Sequence, residues 1–106
     1  MRVIYFKEIL KEAKKEYENS LKNVKNWEDW DYYRFYLWHL VYRKLRNEIN
    51  SHCIIKYGKK VVGVYPMRWD YLEHYITRHF WSIVYRVEYN IRDKYYLMIK
   101  ERLKER

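Results

Sequence analysis

The scarcity of chain-breaking residues constrains this fold more than any other feature: Gly58, Gly63 and Pro66 are the only glycines and the only proline among 106 residues. Tight turns and abrupt helix stops draw on those residue types, so a chain with so few must be built mostly from long regular elements. A chain of this length can bury enough surface to fold alone, though without a large margin, and a single domain spanning 1–106 is the expectation. Apolar residues make up 49% and charged residues 35%, which supplies a core and a well-solvated surface.

Residues 4–25 read as an amphipathic helix, because Phe6, Leu10, Ala13, Tyr17, Leu21 and Val24 recur four and three apart. Its other face mixes Lys7, Lys11, Lys14, Lys15 and Lys22 with Glu8, Glu12, Glu16 and Glu18, and opposite charges at such spacings give local support. A turn over 26–29 then leads, with Asp29 as N-cap, into a second helix that reaches Asn50. Trp30, Tyr33, Leu37, Leu40 or Val41, Leu45 and Ile49 form its core stripe, while Tyr32, Tyr36, His39, Arg43, Arg46 and Asn50 follow the same period on another face.

The period changes over 52–65. Cys53–Tyr57 and Lys60–Val64 are rich in β-branched residues and flank Gly58-Lys59, which suits a type II′ hairpin turn with glycine first. Pairing Tyr57 with Lys60 sets Ile55 opposite Val62 and Cys53 opposite Val64. Two strands alone are marginal, so the ribbon must lie on helices or join another ribbon. Pro66 suits the start of a third helical region, from Met67 onward, whose core line is Trp69, Leu72, Ile76, Phe80, Ile83, Val87, Ile91, Tyr95 and Met98. An unbroken helix of that length would span roughly 55–60 Å, far beyond a compact domain with a radius of gyration of ~13 Å. It must therefore break, with Asn90–Asp93 the favoured place, or protrude. The expected fold class is α+β, mainly α: two antiparallel N-terminal helices, one β-hairpin and a long or broken C-terminal helix.

Fourteen tyrosines, five tryptophans and three phenylalanines share this chain with a net charge of +9. Flat rings interleaved with cations suit contact with phosphates and bases, and Tyr-rich helices also build interfaces. A single cysteine, Cys53, excludes an internal disulfide and fits a reducing compartment. Charge arrives too early at the N-terminus for a signal peptide, and no apolar run approaches the ~18 residues of a membrane span. The expectation is an intracellular protein with no membrane association.

Glutamine is absent, alanine and threonine occur once each, and lysine is abundant. With stretches such as Tyr36-Leu37-Trp38-His39-Leu40-Val41-Tyr42-Arg43-Lys44, this overall character resembles small orphan proteins from viruses of hyperthermophilic archaea. The resemblance is one of character, with no alignable motif. It implies a thermostable viral protein placed in the host cytoplasm or associated with the virion, and it transfers no functional residue.

Two constellations point to binding. Residues 51–68 hold Lys56, Lys59, Lys60 and Arg68 without an acid, a local +4. A ribbon with such a tip can track a phosphate backbone, with Tyr57 stacking beside it and Arg43 and Arg46 extending the patch. The alternative is an edge ribbon that wears lysines against aggregation. The second constellation is a stripe on the third helix, Tyr71, Tyr75, Arg78, Ser82, Tyr85, Tyr89, Arg92 and Tyr96. Tyr and Arg are enriched at the centres of protein interfaces, so a homodimer seam is the sharp reading and a wide buried face the bland one.

Chemistry is weakly signalled. Arg46-Asn47-Glu48-Ile49-Asn50-Ser51-His52 resembles the Arg-Asn…His signature of HEPN-type ribonucleases. That resemblance implies an all-helical dimer in which Arg46 holds a phosphate and His52 moves a proton without a metal. Asp70 and His74 could share a helix face, but His79 lies about 140° round from His74, so no metal site is expected, and no cofactor. The order helix, helix, basic hairpin, long helix also resembles winged-helix DNA-binding domains, although 30–50 is too long and apolar for a groove-reading helix. The expectation is a non-catalytic nucleic-acid-binding homodimer, with DNA favoured over RNA. A protein-interaction module acting through the Tyr/Arg face is the alternative, and the HEPN-like ribonuclease the second alternative.

Overall fold

The computed structural model describes residues 2–49, 51–64 and 68–104, the Trp69 side chain excepted. The expectations for Asn50, Tyr65, Pro66, Met67 and the Trp69 side chain fall outside the described residues. The fold is α+β and mainly α. Its elements run β1 (Arg2–Tyr5), α1 (Phe6–Lys22), α2 (Trp27–Tyr33), α3 (Tyr36–Glu48), β2 (Cys53–Tyr57), β3 (Lys60–Val64) and α4 (Trp69–Lys104).

The first correction is at the start, where Ile4 belongs to a strand and not to the helix. β1 lies parallel to β2, with Ile4 beside Ile55, and β2 pairs antiparallel with β3 in the register expected for the hairpin. A four-residue strand offers too little alternation to compete with the strong helical period that follows it. β1 answers the question of what stabilises the ribbon: it makes a third strand, in the order β1-β2-β3. Gly58, at φ 58°, is the only described residue with positive φ, so the turn carries its positive φ at the first central position alone, as a II′ turn does and a I′ turn does not. Ile4, Cys53, Ile55, Val62 and Val64 point into the core, whereas Val3, Tyr5, Lys56 and Val61 stand on the exposed sheet face.

The second correction splits the expected 29–50 helix in two. Asn26, not Asp29, caps α2: its side-chain oxygen accepts the Asp29 N–H at 2.8 Å, while the Asp29 carboxylate accepts the Lys25 N–H at 3.1 Å. α2 stops at Tyr33, and α3 restarts at Tyr36 with Phe35 at its N-cap, a residue with no side-chain acceptor. Glu88 of α4 does that work instead. Its buried carboxylate, only 2% exposed, accepts the Leu37 N–H at 3.1 Å and also bonds the Trp38 N–H, so the second and third residues of α3 are capped from another helix. The Tyr17 hydroxyl donates to the Arg34 carbonyl at 2.5 Å, satisfying an acceptor at the same break.

α4 decides between the two expected forms, a long or a broken C-terminal helix, in favour of the long one. It runs unbroken for 36 residues, and the molecule is 53 Å long with a Cα radius of gyration of 15.7 Å. The helix survives through 90–93 because neighbours hold both of its halves. Tyr75 donates to the Gly63 carbonyl on β3, Glu88 caps α3, and Arg102 donates to the Lys22 and Val24 carbonyls at the end of α1. Its buried line is Leu72, Ile76, Phe80, Val84, Glu88, Ile91, Tyr95 and Ile99; Ile83 and Val87 are half-buried, and Met98 is exposed. The core is continuous, from the inner sheet face through Phe6, stacked on Phe80 at 4.4 Å, to the helical stripes of α1 and α3.

Candidate nucleic-acid interface

α1 separates its charges. Glu12 and Glu16 face α3, where Lys44 meets them at 4.0 and 2.7 Å. Lys7, Lys11 and Lys14 lie on the side nearer α4, spaced four and three apart so that they share one face. Together with Leu10, Tyr57 and Val87 they line a groove of about 300 Å³. Among the described residues none of these three lysines is paired with a carboxylate, although Glu18 stands one turn beyond Lys14. Lys7 lies 5.7 Å from the centroid of the Tyr57 ring, which itself packs edge-on against Phe6 at 5.6 Å. The groove is thus a lysine row with an apolar floor and one anchored ring at its end.

The hairpin cations expected to form the patch do not stand together. Lys56 is on the open face of the sheet, opposite Val61. Lys60 turns the other way: its ammonium donates to the His79 carbonyl and lies 5.6 Å from the Phe80 ring. Lys59 is exposed at the turn beside Tyr57. Arg68 meets Asp70 at 3.5 Å and the Tyr71 ring at 5.8 Å. Arg43 and Arg46 are exposed on α3 and line no part of the groove. Tyr57 therefore joins a cationic surface built on α1, whereas Lys59, exposed at the turn, lines no part of that groove. The signal was present in the spacing of 7, 11 and 14 against 8, 12 and 16, which is two lines and not one mixed face.

The Tyr/Arg stripe of α4 is divided. Tyr71, Tyr85, Tyr89 and Tyr96 remain exposed, whereas Tyr75 and Arg92 are half-buried and already engaged by β3 and by Glu88. Arg78 and Ser82 are exposed between them.

No protein-family model, curated protein or solved structure matches this chain.

The reactive groups give little. Arg46 sits on α3, while His52 lies in the bend before β2, so the end of α3 at Glu48 interrupts the signature that an all-helical ribonuclease would keep on helices. Cys53 is buried, which pushes its thiol above the ordinary value. Burial, with Lys60 and Arg78 beside it, lowers the pKa of His79. Among the described residues no cluster of His, Cys, Asp or Glu could hold a metal ion, and no helix is long and apolar enough to cross a membrane.

Proposed function

We propose that this protein binds nucleic acid without catalysis, laying a phosphate backbone along the lysine row of α1 and over the hairpin tip. The observation that carries the reading is the segregation of charge on α1, which leaves Lys7, Lys11 and Lys14 without carboxylate partners along one groove ending at Tyr57. Phosphate contacts of this kind position a duplex without reading its sequence, as suits an accessory or structural protein. Lys59, two residues past Tyr57 at the exposed hairpin turn, would supply a fourth phosphate contact, and duplex DNA is the natural first probe.

The test is a salt series with labelled duplex. Four phosphates neutralised by Lys7, Lys11, Lys14 and Lys59 correspond to a slope of log affinity against log salt of about −3.6. The Lys11→Gln/Lys14→Gln variant should lower that slope by about 1.8. An Arg43→Gln/Arg46→Gln variant should leave it unchanged, because those residues lie off the groove. Binding that is undetectable at low salt, or that depends on the α3 arginines and not on the α1 lysines, overturns the proposal.

A further inference from the structure

A second cavity lies on the other flank of α4, between that helix and α2. It has a volume of about 160 Å³ and is lined by Trp30, Arg34, Tyr89, Arg92, Asp93 and Tyr96. Trp30 is buried and fixes the Tyr96 ring, with centroids 5.6 Å apart and Trp27 at 6.2 Å, while the Arg92 guanidinium lies 5.6 Å from the Tyr89 ring centroid; both tyrosines keep part of their surface in solvent. The two guanidinium groups each sit 4.7 Å from the Phe35 ring centroid, so the Phe35 ring fixes the pair. Each also directs one buried N–H toward a carboxylate that is too far for a hydrogen bond: Arg34 Nε is 3.6 Å from Asp31, and Arg92 Nη1 is 3.7 Å from Glu88. Among the described residues neither guanidinium has a hydrogen-bond acceptor. The cavity therefore offers stacking faces, two fixed donor forks and one exposed carboxylate in a space suited to a single flat ring system.

Those groups define a ligand. Inorganic phosphate would satisfy the guanidinium groups but would meet Asp93 with like charge and leave the rings unused. Bases stack on such rings regardless of identity, so the polar groups must choose among them. Guanine presents N7 and O6, two acceptors that match an arginine fork. Its adjoining edge carries the N1 hydrogen and the N2 amino group, two neighbouring donors that match the two oxygens of a carboxylate. Adenine and cytosine offer a carboxylate only one donor group, and thymine and uracil only a ring N–H. That donor edge is occupied in a base pair, so the guanine must be unpaired.

We propose that the cleft between α2 and α4 is a binding site for an unpaired guanine base, stacked on an exposed tyrosine ring of its lining with Arg92 on its acceptor edge and Asp93 on its donor edge. This site is independent of the lysine groove and stands or falls separately from it. It equips the protein to hold a single-stranded guanine or a free guanine nucleotide.

The test uses the full chain and equilibrium dialysis with guanosine, GMP, adenosine, AMP and inorganic phosphate. Guanosine and GMP should bind saturably, adenosine and AMP about tenfold or more weakly, and phosphate should not compete. Tyr89→Ala should weaken guanosine about tenfold, and Asp93→Asn should erase the preference over adenosine; both residues are exposed, so folding is preserved. The Lys11→Gln/Lys14→Gln variant should bind guanosine as the wild type does, which separates this site from the duplex-binding surface. Absence of saturable guanosine binding, equal binding of guanosine and adenosine, displacement by phosphate, or self-association that seals the cleft would each overturn the assignment.

Discussion

Glu88 occupies a core position of α4, between Val84 and Ile91, where an apolar side chain would ordinarily stand. Burial raises its pKa above the ordinary value of 4.5, against the Leu37 N–H, Arg92 and the Trp38 N–H, which lower it. The folded state therefore holds this proton to higher pH than the unfolded chain does. Stability contributed by Glu88 is greatest below the unfolded-state pKa and declines as pH rises through the folded value. Denaturant midpoints of wild type and Glu88→Gln, compared between about pH 4 and pH 8, should show the wild type losing ground to the variant as pH rises. A difference independent of pH would refute the raised pKa. Glu88→Leu leaves two helix N–H groups without acceptors and should cost about 2–4 kcal/mol in the same measurement. This residue was illegible in the sequence, where Val87 is the apolar choice for the core line. Hydrophobic period reports which side chains prefer burial, and it carries no record of a helix N-terminus 51 residues away that requires an acceptor.

Elements were legible in proportion to the chemistry that marks their ends. The hairpin register could be read residue by residue because Gly58 fixes the turn, and the turn then fixes every pair. The break between α2 and α3 has no such mark. Arg34 and Phe35 are ordinary helix residues, and the apolar stripe continues from Trp30 to Leu37 across the break. Beyond the local bond from the Arg34 N–H to the Trp30 carbonyl, tertiary groups, the Tyr17 hydroxyl and the Glu88 carboxylate, serve the backbone polar groups there. The two glycines should respond differently to substitution. An added Cβ meets nothing within 4 Å at either position, so only backbone preference counts. Gly58→Ala forces a left-handed residue and should destabilise by about 1–2 kcal/mol. Gly63→Ala, at ordinary φ, should be neutral or stabilise by up to about 1 kcal/mol. Thermal unfolding of the two variants checks the contrast, and equal losses would mean that the turn is not of the II′ kind.

At the scale of the whole molecule, α4 is a spine with three attachments of different chemistry. Near its N-terminus Tyr75 and the His79 carbonyl bind the edge strand β3; in the middle Glu88 holds α3; toward the end Arg102 takes the final carbonyls of α1. Its two flanks carry the lysine groove and the aromatic cleft, so α4 separates two surfaces of unlike chemistry. The charge pattern of the groove was readable in α1, but its segregation from the glutamates became visible only once Lys44 was placed against Glu12 and Glu16. The sequence also favoured a break at 90–93, since an isolated rod of this length exceeds a compact domain. The attachments on either side of that region remove the need for one. Asn90 is exposed, so replacing it by proline disturbs little except the helix itself. In a continuous helix Asn90→Pro deletes one backbone hydrogen bond and drives its ring against the carbonyl of Arg86, at a cost of about 3 kcal/mol or more. It would also loosen Glu88 and Arg102 from opposite sides of the kink, so loss of α3 and α1 packing should accompany the drop in melting temperature. A variant that keeps wild-type stability would show that the spine already bends there, and the rigid placement of both surfaces on α4 would fall with it.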